Sequence, residues 1–338
     1  MDVLVREGRY ASPEQLIEVS IRNQLLLEND RVAVPKAPTA LPALHPKGRA
    51  PIGVVPEDSI DEVSNALAIP NTPPGWSPSL KAAPACDFVL PHFATKLLPC
   101  KIVARFLLGR LSGAGKDELP VEDLLAPLQT TAVQLRGRLV AAHGSNPRQR
   151  GTFLHAGFPE NDAKSIQRFH DLYFVGHPSS SGPSTSLSVR LGLVAVRVDS
   201  KTGEPWVGLT KEGAAFAALP NPLLDSRNMD PTASGLSDDE AAMLAGFLKE
   251  RSPKDYALLT AIVGALGDAP LPREELARTL RGPIQSLGAK TDAVANGIFV
   301  AATSRLVEVG ALTIVKDGLR TGYLAGPRSG LFSERSTQ

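Results

Sequence analysis

Cysteine is nearly missing from this chain, with two in 338 residues, Cys86 and Cys100. Two cysteines cannot build a disulfide framework, and they flank His92 at spacings that match no standard zinc pattern. Both read as free thiols, and neither metal nor cofactor is expected. Long apolar runs are missing too. No segment reaches the roughly 18 apolar residues of a membrane span, and no signal-peptide core follows Asp2, Arg6, Glu7 and Arg9. The expectation is a soluble, cytoplasmic protein without a membrane partner. Charge of one sign is also lacking: a net +1 excludes a strongly basic nucleic-acid condenser, but not a protein that segregates its charges.

Catalytic signatures are equally scarce. There is no GxxxxGK[ST], HExxH, GxSxG or CxxC string. The stretch SGAGKDE at 112–118 lacks the glycine spacing, the hydroxyl residue after Lys116 and the preceding strand of a phosphate loop, so it reads as an exposed turn. The pairs Glu118/Glu122, Asp238/Asp239 and Glu274/Glu275 stand at helix starts, where they complement the helix dipole. His143, His155, His170 and His177 have irregular spacing and read as exposed or core-satisfied rather than as ligands. A non-enzymatic protein is expected.

Proline and glycine are plentiful, at 29 each, and the length calls for two or three domains joined by connections. Eleven of the prolines fall within 34–84, where apolar residues show no period. We read 31–86 as a flexible Pro/Ala-rich linker in which only SIDEVSNA, 59–66, forms a turn or two of helix. Ahead of it, Gly8 is a helix stop, and Ser12 with Gln15 is a capping-box start. Ile17, Ile21 and Leu25 then give a helix with one apolar stripe. LVREGRYASPEQLIEVSIRNQL resembles the helical half of ribbon-helix-helix antitoxins and repressors. Their groove-entering strand has no counterpart here, so 1–30 is expected to dimerise or dock rather than read bases, the alternative being a plain helical hairpin packed on the main body.

Beyond 87, helices are predicted over 101–111, from Pro120 through Leu139, and after Pro159, where Asn161 or Asp162 caps. LGLVAVRVD alternates as a half-buried strand, KTGEP is a turn and WVGL a return strand. Thr210 starts a helix. The grammar recurs: Ser237 caps a helix, Pro253 starts one, 271–280 and 291–309 are two more, and two strands meet at Asp317-Gly318. The strings LGLVAVRVDSKTGEPWVGLTKEGAAFAAL and SRLVEVGALTIVKDGLRTGYLA resemble the ends of winged-helix domains. The resemblance implies a mainly α fold with small β-hairpins (α+β), one winged-helix-like domain over 87–225 and a second over 236–332.

Within 101–190, eleven Lys and Arg stand against seven Asp and Glu, whereas 1–30 carries three against six. Arg136, Arg138, Arg148 and Arg150 cluster around the loop HGSNPRQRG, and Lys164, Gln167 and Arg168 share one helix face. Such groups neutralise phosphates and release counterions. The plain alternative is a solvated face with its arginines paired to Glu160, Asp162 and Asp171. The winged-helix resemblance adds Ser184, Thr185, Ser188, Arg190 and Lys201 in the first module. In the second it adds Lys290, Asn296, Ser304, Arg305, Lys316 and Arg320. The expected function is a non-catalytic, prokaryotic transcriptional regulator or DNA-associated factor that binds double-stranded DNA. The alternative is an adaptor subunit of a nucleic-acid-processing or defence complex, whose winged helices dock protein.

Overall fold

The structure is a computed structural model that describes residues 58–70, 73, 76–82, 90–143, 154–176, 186–225, 235–317 and 320–333. All of these belong to one compact unit, Ile52–Gln338. The ribbon-helix-helix-like stretch 1–30 lies outside the described residues.

The fold is mostly helical with two small antiparallel sheets, an α+β arrangement. Its first half contains α1 (Asp58–Leu67), α2 (Leu98–Ala114), β1 (Glu118–Pro120), α3 (Val121–His143), α4 (Ala163–Tyr173), α5 (Leu187–Arg190), β2 (Val194–Val198), β3 (Pro205–Leu209) and α6 (Lys211–Ala218). The second half contains α7 (Asp238–Arg251), α8 (Pro253–Gly264), β4 (Leu271–Pro272), α9 (Arg273–Thr279), α10 (Arg281–Ser286), α11 (Asp292–Glu308), β5 (Leu312–Asp317) and β6 (Arg320–Ala325). A short 3₁₀ turn, Ser329–Phe332, follows.

The two halves repeat one connectivity. Each runs helix, short strand, helices and a two-stranded ribbon, and in each sheet the first strand pairs with the third: β1-β3-β2 and β4-β6-β5. Trp206 and Tyr323 both lie in these ribbons. The entry to each ribbon repeats as well. Gly192 (φ 74°) and Gly310 (φ 77°) take the left-handed conformation that glycine adopts without a Cβ clash. Their amides bond to Val189 and Val307, and those of Leu193 and Ala311 bond back to Ser188 and Leu306. This is the paired hydrogen-bond signature that satisfies the last carbonyls of a helix, here α5 and α11.

The core centres on α2, which is buried from Leu98 to Leu108 and packs against α1, α3, α4, α5, α6 and β3. Two of its three cations, Lys101 and Arg105, are internal, and Arg110 is exposed. Lys101 Nζ donates to the carbonyls of Phe216 (2.5 Å), Leu219 (2.8 Å) and Ala217 (3.2 Å) at the end of α6, and it pairs with Glu240 of α7 at 2.7 Å. Arg105 donates to Ala217 and Leu219 and pairs with Asp225. The orphan carbonyls of α6 are thereby satisfied by positive charge where the helix dipole favours it. These two residues therefore leave the basic surface counted over 101–190, because helix-end carbonyls and carboxylates hold them inside.

The halves interlock rather than hang on a tether. Pro99 opens α2, which has no side-chain cap of its own. Glu308, at the end of α11, accepts from the amides of Leu97 (2.5 Å) and Leu98 (2.9 Å) instead. One turn earlier, Arg305 donates to the carbonyls of Pro91 (2.7 Å) and Ala94 (2.7 and 3.0 Å) and lies 3.7 Å from Asp255. Part of the stretch read as a linker is also packed. The buried residues Val63 and Leu67 stand one turn apart on α1 and meet α2 and α3, and Trp76 Nε1 donates to the Lys116 carbonyl.

Candidate nucleic-acid interface

Asp162 starts α4 by accepting from the Ser165 amide at 3.0 Å. Apolar spacing then turns Phe169 and Tyr173 inward and leaves Lys164, Gln167 and Arg168 exposed. Arg190, the last residue of α5, lies on the same groove as these three, together with Pro91 and Phe93. Phe93 is 59% exposed, the most open large apolar side chain among the described residues. Three cations thus line the same groove as an open aromatic ring. Asp171 is the carboxylate of this groove; it accepts from Gln167 Nε2 at 2.8 Å and lies 3.5 Å from His170 Nδ1. Lysine and arginine one helical turn apart can follow a phosphate backbone, and an open ring beside them offers a stacking face.

Arg136, on α3, lines an adjoining cavity that also borders Arg168 and Phe93. It pairs with Glu160, as the solvated-face alternative requires for that residue. Arg138 turns toward α1, with Nη1 3.4 Å from Ser64 Oγ. Arg148 and Arg150 lie outside the described residues, as do Ser184, Thr185, His177 and Cys86. Lys201 is exposed at the β2–β3 turn, where Asp199 accepts from its amide at 2.7 Å. The two amides on Asp199, from Lys201 and Thr202, hold its carboxyl below the usual range. Lys316 and Arg320 are exposed on the β5–β6 ribbon, opposite Thr321 and Asp317.

Two of the residues read as DNA-facing are corrected. Ser188 is wholly buried, because its hydroxyl donates to the Tyr173 carbonyl and ties α5 to α4. Arg305 is 2% exposed, because α11 turns it onto the backbone of Pro91 and Ala94. Around it burial dominates: it lowers the Arg305 and Lys96 pKa values, raises those of Asp255 and Glu308, and pushes the Cys100 thiol up to about 12. Lys290 and Asn296 are exposed, and Asn296 accepts from Arg273 at 3.3 Å. Sequence reasoning missed Phe93, which stands in an aperiodic stretch between Pro91 and Pro99.

Among the described residues no group of three His, Cys, Asp or Glu side chains could hold a metal ion, and no helix is long and apolar enough to cross a membrane. Comparison of the chain with family models, curated proteins and solved structures finds no match in any of the three.

Proposed function

We propose that this chain is a non-catalytic DNA-binding protein built on two fused winged-helix modules, and that the exposed face of α4 carries the binding. The observation behind this reading is the meeting of Lys164, Arg168 and Arg190 in one groove with the open ring of Phe93. The three cations neutralise successive phosphates, Gln167 adds a neutral hydrogen-bonding group, and Lys201 at the ribbon turn reaches the backbone beyond. The winged-helix reading is supported by the repeated first-third-second strand order and by the matching glycine stops at Gly192 and Gly310. A regulator or DNA-associated factor follows from that design.

The second module has a different part. The inner side of α11 is spent on the core, and its exposed residues, Asp292, Ala293, Asn296 and Val300, include no cation. That surface favours a second reading, in which this half docks a protein and the chain is an adaptor in a larger assembly.

Fluorescence anisotropy of the full chain with duplex DNA across a salt series tests the first reading. Binding that weakens steadily with salt supports it, and no binding even at low salt ends it. A Lys316→Glu/Arg320→Glu variant tests the division of labour: unchanged DNA affinity is expected, and a large loss would place DNA on the second ribbon.

A further inference from the structure

Beside the α4 face a cavity of about 640 Å³ opens between α3, α4 and the loop 154–160. That volume lies in the range of small-molecule sites. Its lining is mixed: Phe93, Val140, Phe158, Phe169 and Leu172 are the apolar part, and Arg136, His155, Glu160, Ser165 and Arg168 the polar part. The Tyr173 side chain, 1% exposed, also lines it; the Lys96 backbone amide bonds to its hydroxyl oxygen, and the hydroxyl proton has no acceptor among the described residues. Gly157, another lining residue, packs close to that hydroxyl: a Cβ there would come within 3.2 Å of it and of Pro99 Cγ, and φ of 102° excludes most other residues. A buried hydroxyl without an acceptor is unfavourable, so this one marks a place where an incoming acceptor gains a full hydrogen bond. The lining also holds Arg136, shared with Glu160, and Arg168, which is exposed and makes no ion pair among the described residues.

We infer that this cavity binds a planar-ringed organic anion, with its charge at Arg168 and Arg136, its ring against the apolar part of the lining, and a ring acceptor receiving the Tyr173 hydroxyl proton. The inference goes beyond DNA binding and does not require it. Two sources share the chemistry, a nucleoside phosphate and an aromatic carboxylate.

Isothermal titration of the full chain with AMP, and separately with 4-hydroxybenzoate, tests it, with inorganic phosphate and adenosine as controls. One molecule of at least one probe binds per chain, and each control binds more than tenfold more weakly than AMP if the phosphate source is right. Tyr173→Phe weakens the bound probe about tenfold, the worth of one hydrogen bond to a buried donor, and Arg168→Gln weakens it at least as much. The inference is overturned if neither probe binds, or if Tyr173→Phe binds as wild type does. None of these outcomes depends on DNA.

Discussion

Lys101 and Glu240 meet at 2.7 Å with both side chains wholly buried, one on the central helix of the first half and the other on the opening helix of the second. Glu240 also closes a capping box with Ser237 and accepts from Asn221. One carboxylate therefore serves a helix start, a loop and a cation across the join. Removing one member of such a pair leaves the other buried and uncompensated.

Lys101→Met is accordingly expected to lower stability by about 3–5 kcal/mol, read as a lower urea midpoint at unchanged slope. Adding Glu240→Gln, which keeps the capping geometry and removes the stranded charge, recovers a substantial part. An additive double variant would mean that the two groups do not interact.

The same lysine gives stability a pH dependence. Burial pulls its ammonium down to about 8, while Glu240 works to keep it charged. The unfolded chain keeps the ordinary lysine value of about 10.4. Below 8 both states are protonated and Lys101 adds no slope. Between about 8 and 10.4 the unfolded state binds the proton and the folded state does not, so Lys101's part of the stability rises with pH. Denaturation of wild type and Lys101→Met from pH 7 to 10 should show the wild type gaining on the variant. A constant gap contradicts the assignment.

The glycine stops ahead of the two ribbons are unequal. At Gly310 an added Cβ meets only the Arg328 side chain, at 3.3 Å, whereas at Gly192 it comes within 2.4 Å of Arg251 Nε. Gly310→Ala should lose about 1–2 kcal/mol from left-handed strain alone, and Gly192→Ala more. Thermal melts check the ranking, and the reverse order would show that Arg251 moves aside freely.

Much of the fold was legible from pattern. Asp162, Thr210 and Ser237 cap the helices they precede, and both ribbons fall where alternation and turn residues put them. Two kinds of feature were not. The short strands β1 and β4 have too few residues for any period, and only their pairing with β3 and β6 defines them. Buried ions are the other kind. Lys101, Arg105 and Arg305 look like surface charges in a string, because their partners are carbonyls and carboxylates 38 to 214 positions away. The candidate site divides in the same way: Lys164, Gln167 and Arg168 were visible as one helix face, while Phe93 joins them only through tertiary packing.

Packing of α1 makes a further expectation. Limited digestion with proteinase K should spare 58–67 in the wild type. Val63→Asp places a charge in the buried contact with α2 and α3 and should open a new cut there. Equal cutting in both proteins would mean that α1 is not held.

The account turns on phosphate contact by the outer face of α4. Its most direct test is the salt dependence of duplex-DNA affinity for wild type and Lys164→Gln/Arg168→Gln, measured side by side. Each lost phosphate contact removes about 0.9 from the slope of log K against log salt, so the double variant should bind more weakly and with a slope flatter by about 2. Identical slopes for the two proteins would contradict it.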